Sequence, residues 1–215
     1  AYNLPVQSHL SENKKEIQWV RELEPQATCY GDAYNRYGLF GKTPTLMAHC
    51  CYSDGEELQL LRDNGVYVVH CPTSNCNLAS GIAPIRRFLQ AGIPVVLGSD
   101  IAAGHHLSIF RVMQYAVQMS KLQYALTDGK YPFLTLSEVF YMATKAGGAF
   151  FGKVGSFEKG YAFDALVIDD KSLSPDTLIT SSLIHRLERF IYLGDDRHIA
   201  YRFCQGKEIT ISYYR

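Results

Sequence analysis

The sequence lacks the features that define several broad classes of protein. A membrane-spanning helix requires an apolar run of about 18 residues, and no run in these 215 residues approaches that length. Residues 1–5 show no basic region followed by an apolar stretch, so we expect no secretory signal peptide. Because the first residue is not methionine, we expect the natural N-terminus to lie upstream.

The sequence also has no excess of positive charge. Lysine plus arginine and aspartate plus glutamate number 21 each, which gives a formal net charge of zero. A nucleic-acid surface and an anionic membrane both attract basic patches, so neither partner is expected. The apolar fraction of 47% is ordinary for a globular protein and predicts a sizeable core.

The cysteines are irregularly spaced, which disfavours a disulfide framework. A structural zinc site would need two pairs of cysteine or histidine at ribbon spacing, and the sequence offers one pair, Cys71 and Cys76. We therefore predict free thiols in a reducing compartment and a cytoplasmic location. The six cysteines are Cys29, Cys50, Cys51, Cys71, Cys76 and Cys204.

What the sequence does contain is a repeated unit, a short apolar strand followed by a helical pattern. Four such units occupy the first half of the chain, and an ionisable residue stands at the carboxyl end of each strand. Parallel α/β barrels build their active sites from these strand ends and the loops that follow, so a barrel is predicted. The strands are predicted at 3–7, 45–49, 66–70 and 93–100, with His9 and Glu12, His49, His70 and Asp100 at their ends.

A doubly wound sheet is the alternative α/β fold, and it is disfavoured because no glycine-rich phosphate loop follows any strand. A complete eight-unit barrel takes about 250 residues, so four units by about residue 125 make half of one. We expect the other four strands to precede Ala1. Residues 1–150 are thus predicted to be the second, C-terminal half of a (β/α)8 TIM barrel.

The pattern changes beyond these units. Helices are predicted at 108–122 and after a cap at Thr135, and short strands at 163–169 and 199–204. Residues 151–215 are therefore predicted to form a small β appendage. Capping boxes are predicted at 13–16 and 53–56, each of which would start a helix.

Taken in order, the residues at the strand ends resemble those of the amidohydrolase superfamily of metal-dependent barrel hydrolases. Within it the sequence is most similar to the guanine deaminase family, over almost the whole chain. The His-x-x-Glu, His and Ser-Asp elements indicate only a deaminase-like branch, whereas the block 192–197, Tyr-Leu-Gly-Asp-Asp-Arg, points to guanine deaminases. The matching stretches are 7–13, 47–50, 70–75, 98–100, 155–160, 163–165 and 190–197.

The resemblance implies a zinc-dependent hydrolase that converts guanine to xanthine and ammonia. It assigns His9 and Asp100 as ligands of one catalytic zinc ion, with iron possible because it shares these ligand types. Glu12 would protonate the purine ring and pass a proton to the leaving ammonia. His49 would orient the water and the substrate, and Asp100 would accept the proton of the water. Substrate contacts are expected from Glu12, His49 and Asp100, and a homodimer is implied.

One element of the family pattern is missing from this sequence. The first barrel strand of the family carries a His-x-His pair that completes the metal shell, and no such pair occurs among the seven histidines. His105 and His106 are adjacent and follow the last barrel strand, so they do not replace it. The resemblance thus implies the C-terminal portion of a larger enzyme, with the missing N-terminal half as its partner. It also implies that 151–215 belongs to a small β-sandwich domain.

Other functions stay open at this point. Another aminohydrolase or a chlorohydrolase of the superfamily would act on an adenosine-like, cytosine or triazine ring. A metal-free relative would serve as a scaffold, which is disfavoured because a scaffold has no physical need for His9, Glu12 and Asp100 together. His70 either supports the site or fixes its own loop through Ser74 and Asn75, so we leave it outside the predicted catalytic set.

Overall fold

The computed structural model describes residues 3–173 and 182–210. Contacts between residues divide the chain into two compact units, Ala1–Ala143 and Thr144–Arg215, each with its own sheet. The assignment of 1–150 to a barrel half and of 151–215 to a β domain stays a prediction for the whole protein. No helix within the described residues combines the length and apolar character needed to cross a membrane.

A four-stranded parallel sheet forms the centre of the first unit. Met47, Val68 and Val95 on its strands are almost completely buried, as expected where helices cover a parallel sheet. The strands lie side by side in sequence order, which is the arrangement of a barrel wall and agrees with the predicted partial barrel. They are β1 (Val6–Leu10), β2 (Thr45–His49), β3 (Tyr67–His70) and β4 (Val95–Leu97).

Helices of very different lengths follow the strands of this unit. Phe88, Val112 and Met113 are almost completely buried, so the helices that carry them pack apolar side chains into the core. A π-helical turn, Met142–Ala146, directly follows the last helix. The helices are α1 (Lys14–Leu23), α2 (Tyr30–Arg36), α3 (Gly55–Asp63), α4 (Pro72–Asn77), α5 (Ile85–Gln90), α6 (Ile109–Leu126) and α7 (Leu136–Tyr141).

Two of the predicted helix starts are found at α7 and α1. At α7 the Thr135 side chain accepts from the backbone N–H of Glu138, and the Glu138 carboxylate accepts from the backbone N–H of Thr135, so this cap is confirmed. At α1 the Asn13 side chain accepts from the backbone N–H of Glu16. The Glu16 carboxylate, however, accepts from the backbone N–H of Glu12, so the predicted box is only half formed.

The capping box predicted at 53–56 is wrong. Asp54 is the N-cap of α3, and its side chain forms no capping hydrogen bond. The Ser53 hydroxyl instead donates to the carboxylate of Glu57, one residue beyond the predicted partner. The sequence pattern was misleading because Ser53 satisfies a buried carboxylate and not an N–H group at the helix start.

The second unit contains a three-stranded antiparallel sheet. The two predicted strands are both present, and Gln205 and Gly206, with φ values of 50° and 77°, form the turn after the second of them. A helix that was not predicted, α9, packs its Phe190 and Ile191 into the interior. The elements are α8 (Gly147–Ala149), β5 (Ala165–Ile168), a 3-10 turn (Lys171–Leu173), α9 (Leu183–Leu193), a 3-10 turn (Asp196–His198), β6 (Ile199–Cys204) and β7 (Lys207–Glu208).

Candidate metal centre and active site

The carboxyl ends of β1 and β2 bring two histidines together. In the parallel register His9 lies opposite Ala48, and Leu10 lies opposite His49. The two imidazole rings meet edge to face, with their centroids 5.0 Å apart. His49 is 1% exposed, whereas His9 is open to solvent. One edge of the sheet therefore presents a buried imidazole beside an accessible one.

Glu12 completes a cluster of potential metal ligands with these histidines. One ligand atom from each of His9, Glu12 and His49 lies within 4.8 Å of the other two. The Glu12 Oε1 atom is 3.8 Å from the His49 Nδ1 atom. In the parts of the chain that the structure describes, no other three such side chains come as close together.

Asp100 lies beside the Nε2 atom of His49 at the same carboxyl edge of the sheet. It follows β4, two strands away from β2. Its Oδ2 atom is 4.0 Å from the His49 Nε2 atom, which is beyond direct hydrogen-bonding distance. The aspartate side chain is 29% exposed, so it is accessible to a ligand. The candidate site thus extends along the whole carboxyl edge of the sheet.

Asn75 determines which nitrogen of His49 carries the proton. The Asn75 Oδ1 atom lies 2.8 Å from the His49 Nδ1 atom. An amide oxygen only accepts hydrogen bonds, so Nδ1 is the donor and Nε2 keeps its lone pair. An imidazole in this form can bind a metal or accept a proton through Nε2. That nitrogen is the one that faces Asp100.

Glu12 is held both by its side chain and by its backbone. The Ser80 hydroxyl donates to Glu12 Oε1 at 2.7 Å, and the Glu12 backbone N–H donates to Glu16 Oε2 at 3.0 Å. Glu12 is 9% exposed, so its carboxylate is largely shielded from water. A carboxylate fixed beside an imidazole in this way can hold a proton and deliver it to a bound molecule.

Several residues around the site have a left-handed backbone, which glycine adopts easily and other residues adopt at a cost of about 1–2 kcal/mol. Strain of this kind concentrates at functional sites, where the surrounding structure enforces it. Here it turns the chain sharply as it leaves β1, β2 and β4. The φ values are 46° at Ser11, 72° at His49, 50° at Cys50 and 45° at Asp100.

His70 and His105 lie outside the cluster. His70 is 2% exposed, and its Nδ1 atom has no hydrogen-bond partner among the described residues. Burial, and to a smaller extent the neighbouring His49, lowers the pKa of His70 to about 3, so this imidazole is neutral at physiological pH. The His105 ring forms hydrogen bonds with the side chains of Asn77 and Tyr115 on the protein surface.

The structure therefore groups the residues that the sequence singled out. His9, Glu12 and His49 converge, and Asp100 stands beside His49. Their individual roles stay predictions. Sequence reasoning missed Ser80, which is 68 positions from Glu12 and belongs to no motif.

The contacts that Asn75 and Glu57 make were also not indicated by the sequence. The sequence indicated Asn75 as a partner of His70 in its own loop, whereas the side-chain oxygen of Asn75 contacts His49. Glu57 was not predicted at all, although it is a buried carboxylate close to the site loops. Its position in the first turn of a helix is ordinary for an exposed acidic residue, so no local signal distinguished it.

A cluster of histidine and carboxylate side chains at the carboxyl edge of a parallel sheet is typical of metal-dependent hydrolases built on α/β barrels. The chain belongs to the amidohydrolase family, whose model matches residues 1–209. Members of this family are typically metal-dependent.

Curated relatives are named for one activity. The chain is 38% identical over 220 residues to the probable guanine deaminase of Schizosaccharomyces pombe, covering 97% of this chain and 41% of that protein. It is also 38% identical to the guanine deaminase of Dictyostelium discoideum, covering 95% of this chain and 46% of that protein. The chain thus spans less than half the length of these relatives.

Solved structures are similar along the same part of the fold. The guanine deaminase of C. acetobutylicum, described with guanine bound in its active site, is 58% identical and has a TM-score of 0.93. The match covers 97% of this chain and 49% of that one. An adenosine deaminase from Xanthomonas campestris, described with bound zinc, is 25% identical and has a TM-score of 0.80. That match covers 96% of this chain and 45% of the other one.

Proposed function

We propose that the protein containing this chain catalyses the hydrolytic deamination of guanine to xanthine and ammonia. The observation that carries the proposal is the convergence of His9, Glu12 and His49, with Asp100 beside His49. The names of the relatives and the guanine in the C. acetobutylicum structure favour guanine as the substrate. The reaction adds the oxygen of water to the ring carbon that bears the amino group, which leaves as ammonia.

The donor set fits a metal ion, and we propose zinc. Imidazole nitrogens and carboxylate oxygens are the donors of catalytic zinc sites, and the zinc in the Xanthomonas campestris structure supports this choice. His9 and Asp100 would hold the ion in this chain. Bound zinc supplies a Lewis acid that lowers the pKa of a coordinated water to about 7. Iron uses similar ligands and is the alternative.

The remaining chemistry belongs to side chains of this chain. Glu12 Oε1 is engaged by Ser80, which leaves Oε2 as the atom that transfers a proton to the purine ring and on to the leaving ammonia. His49 orients the water and the substrate through Nε2, because Asn75 occupies its Nδ1 atom. Asp100 accepts the proton of the attacking water. All three side chains would contact the substrate.

The complete site requires more than these residues. Catalytic zinc usually takes three ligands from protein, and His9 and Asp100 provide two. We propose that the other ligands come from residues outside this chain, since the relatives are more than twice as long as the segment that they share with it. The whole enzyme is proposed to be a cytoplasmic homodimer of purine metabolism.

Ammonia release from a panel of substrates tests this function. The whole protein is incubated separately with guanine, adenine, cytosine and a chlorotriazine, and chloride release is followed for the last. We expect guanine to be deaminated with a kcat/KM far above those of the other rings. Turnover of adenine or of the triazine without turnover of guanine would assign the protein to another branch of the family, and no turnover at all would favour a scaffold.

A further inference from the structure

Glu57 is a buried carboxylate that joins three segments of the first unit. It lies in the first turn of α3 and is 4% exposed. Its Oε1 atom accepts hydrogen bonds from the hydroxyls of Ser11 at 2.6 Å and Ser53 at 2.5 Å. Its Oε2 atom accepts from the backbone N–H of Gly31 at 2.8 Å. Within the described residues, no lysine or arginine forms an ion pair with it.

Packing alone does not account for a carboxylate at this position. Burial of an ionised group is costly, and here hydrogen bonds from neutral donors and the N-terminus of α3 offset the cost without a partner of opposite charge. An apolar side chain of similar volume is often as stabilising as a buried charged group. What the Glu57 carboxylate adds is a set of directional contacts, which fix the positions of Ser11, Ser53 and Gly31 relative to one another.

Two of these contacts hold the loops that carry the candidate catalytic side chains. Ser11 immediately precedes Glu12, and Ser53 lies in the turn that follows His49 at the end of β2. The Ser11 carbonyl also accepts from the backbone N–H of Tyr52 at 3.1 Å. The loop after β1 and the loop after β2 are therefore joined twice, by a backbone hydrogen bond and through the Glu57 carboxylate.

We propose that Glu57 is a positioning residue for the deamination, which sets the distance between the Glu12 carboxylate and the His49 imidazole. It touches neither the substrate nor the reacting atoms and acts through the two serine hydroxyls. The inference rests on the function proposed above. Displacement of a catalytic group by about 1 Å can lower a rate on the order of 100-fold, so a defect here should affect kcat more than KM.

The substitution Glu57→Gln tests this role with little change in shape. The amide NH2 group cannot accept a hydrogen bond, so either the Gly31 contact is lost or both serine hydroxyls must reverse and accept from the amide, and the negative charge is removed in either case. Alanine is less suitable because a cavity of about 300 Å³ already borders Glu57, and truncation would enlarge it. Glu56→Gln is the matched control, since Glu56 is the preceding residue in the same helical turn and is exposed.

Steady-state kinetics of the whole enzyme with guanine should separate positioning from folding. We expect E57Q to lower kcat about tenfold or more, with KM within about threefold, and E56Q to match the unmodified enzyme. S11A should lower kcat in the same direction. The kcat of the double variant E57Q/S11A should lie within about twofold of that of E57Q, because both changes break the same connection between Ser11 and Glu57.

Several results would overturn the inference. Values of kcat within twofold of the unmodified enzyme for both E57Q and S11A would do so, as would an E57Q/S11A defect equal to the product of the single defects. If E57Q does not fold, an unchanged kcat for S11A would overturn it and a lowered kcat at unchanged KM would support it. Failure of the unmodified enzyme to convert guanine would instead remove the proposed function, and the positioning role with it.

Discussion

The Nδ1 atom of His49 lies 2.8 Å from the Oδ1 atom of Asn75, and both side chains are almost completely buried. This contact fixes one tautomer of the imidazole and turns Nε2 toward Asp100. It also joins the end of β2 to the helix that follows β3. The tautomer of His49 therefore depends on Asn75, a side chain that is itself buried.

Substitution of Asn75 should reduce turnover by releasing His49. In Asn75→Ala the imidazole loses its acceptor and can adopt the other tautomer, so we expect kcat to fall about 10- to 100-fold. Asn75→Asp keeps an oxygen at the same position and should recover part of the rate. The measurement is kcat for guanine, with the melting temperature of each variant as a control for folding. Equal rates for the alanine variant and the unmodified enzyme would contradict the assigned role.

The ion pair between Arg86 and Glu138 should make part of the stability depend on pH. Arg86 donates to both carboxylate oxygens, at 2.6 and 3.0 Å, and these hydrogen bonds hold the pKa of Glu138 below its usual value. The stabilisation is therefore complete above the unfolded-state pKa of about 4.3 and is lost as pH falls through the lower folded-state pKa.

Glu138→Gln is the variant that measures this contribution. Glutamine can keep the capping contact with Thr135 but cannot form the ion pair. Because both partners are partly exposed, we expect a loss of about 1 kcal/mol in the free energy of unfolding at pH 7. Urea unfolding of both proteins should give curves that converge below pH 4. A difference that persists unchanged at pH 3 would show that the charge is not its cause.

Buried cysteines should resist alkylation in the folded protein. Burial raises the pKa of Cys51 and of Cys71 to about 12, so neither forms a reactive thiolate at pH 8. Cys204 is exposed and serves as the internal control. Mass spectrometry after a short iodoacetamide pulse should find Cys204 modified and the other two modified only after denaturation. Labelling of Cys51 as fast as Cys204 would contradict the burial.

The parallel sheet could be predicted from the sequence because short apolar runs have an ionisable residue at or just beyond their ends, although β1 lies at Val6–Leu10 and not at the predicted 3–7, so His9 is part of the strand. His49, His70 and Asp100 were found in this way. The short helices α2 and α4 were missed because seven and six residues are too few to display an apolar period. The helix α9 is longer and was missed among the short strands predicted around it.

The contacts that support the site could not be predicted. Ser80 and Glu12 are brought together by the fold, as are Asn75 and His49, and neither pair has a sequence pattern. The capping pattern at 53–56 even indicated the wrong partner, because burial and not spacing selects Glu57 as the acceptor for Ser53. Candidate ligands can thus be recognised from residue type, whereas the residues that orient them depend on three-dimensional packing.

The most direct test of the proposed site compares the whole enzyme with its Glu12→Gln variant, measuring both xanthine formation and bound metal. If Glu12 transfers protons and His9 and Asp100 bind the metal, the variant keeps its metal content and loses at least about 100-fold in kcat. A chelator should abolish the activity of the unmodified enzyme, and added zinc should restore it. Undiminished xanthine formation by the variant, or loss of its metal, would contradict this assignment of roles.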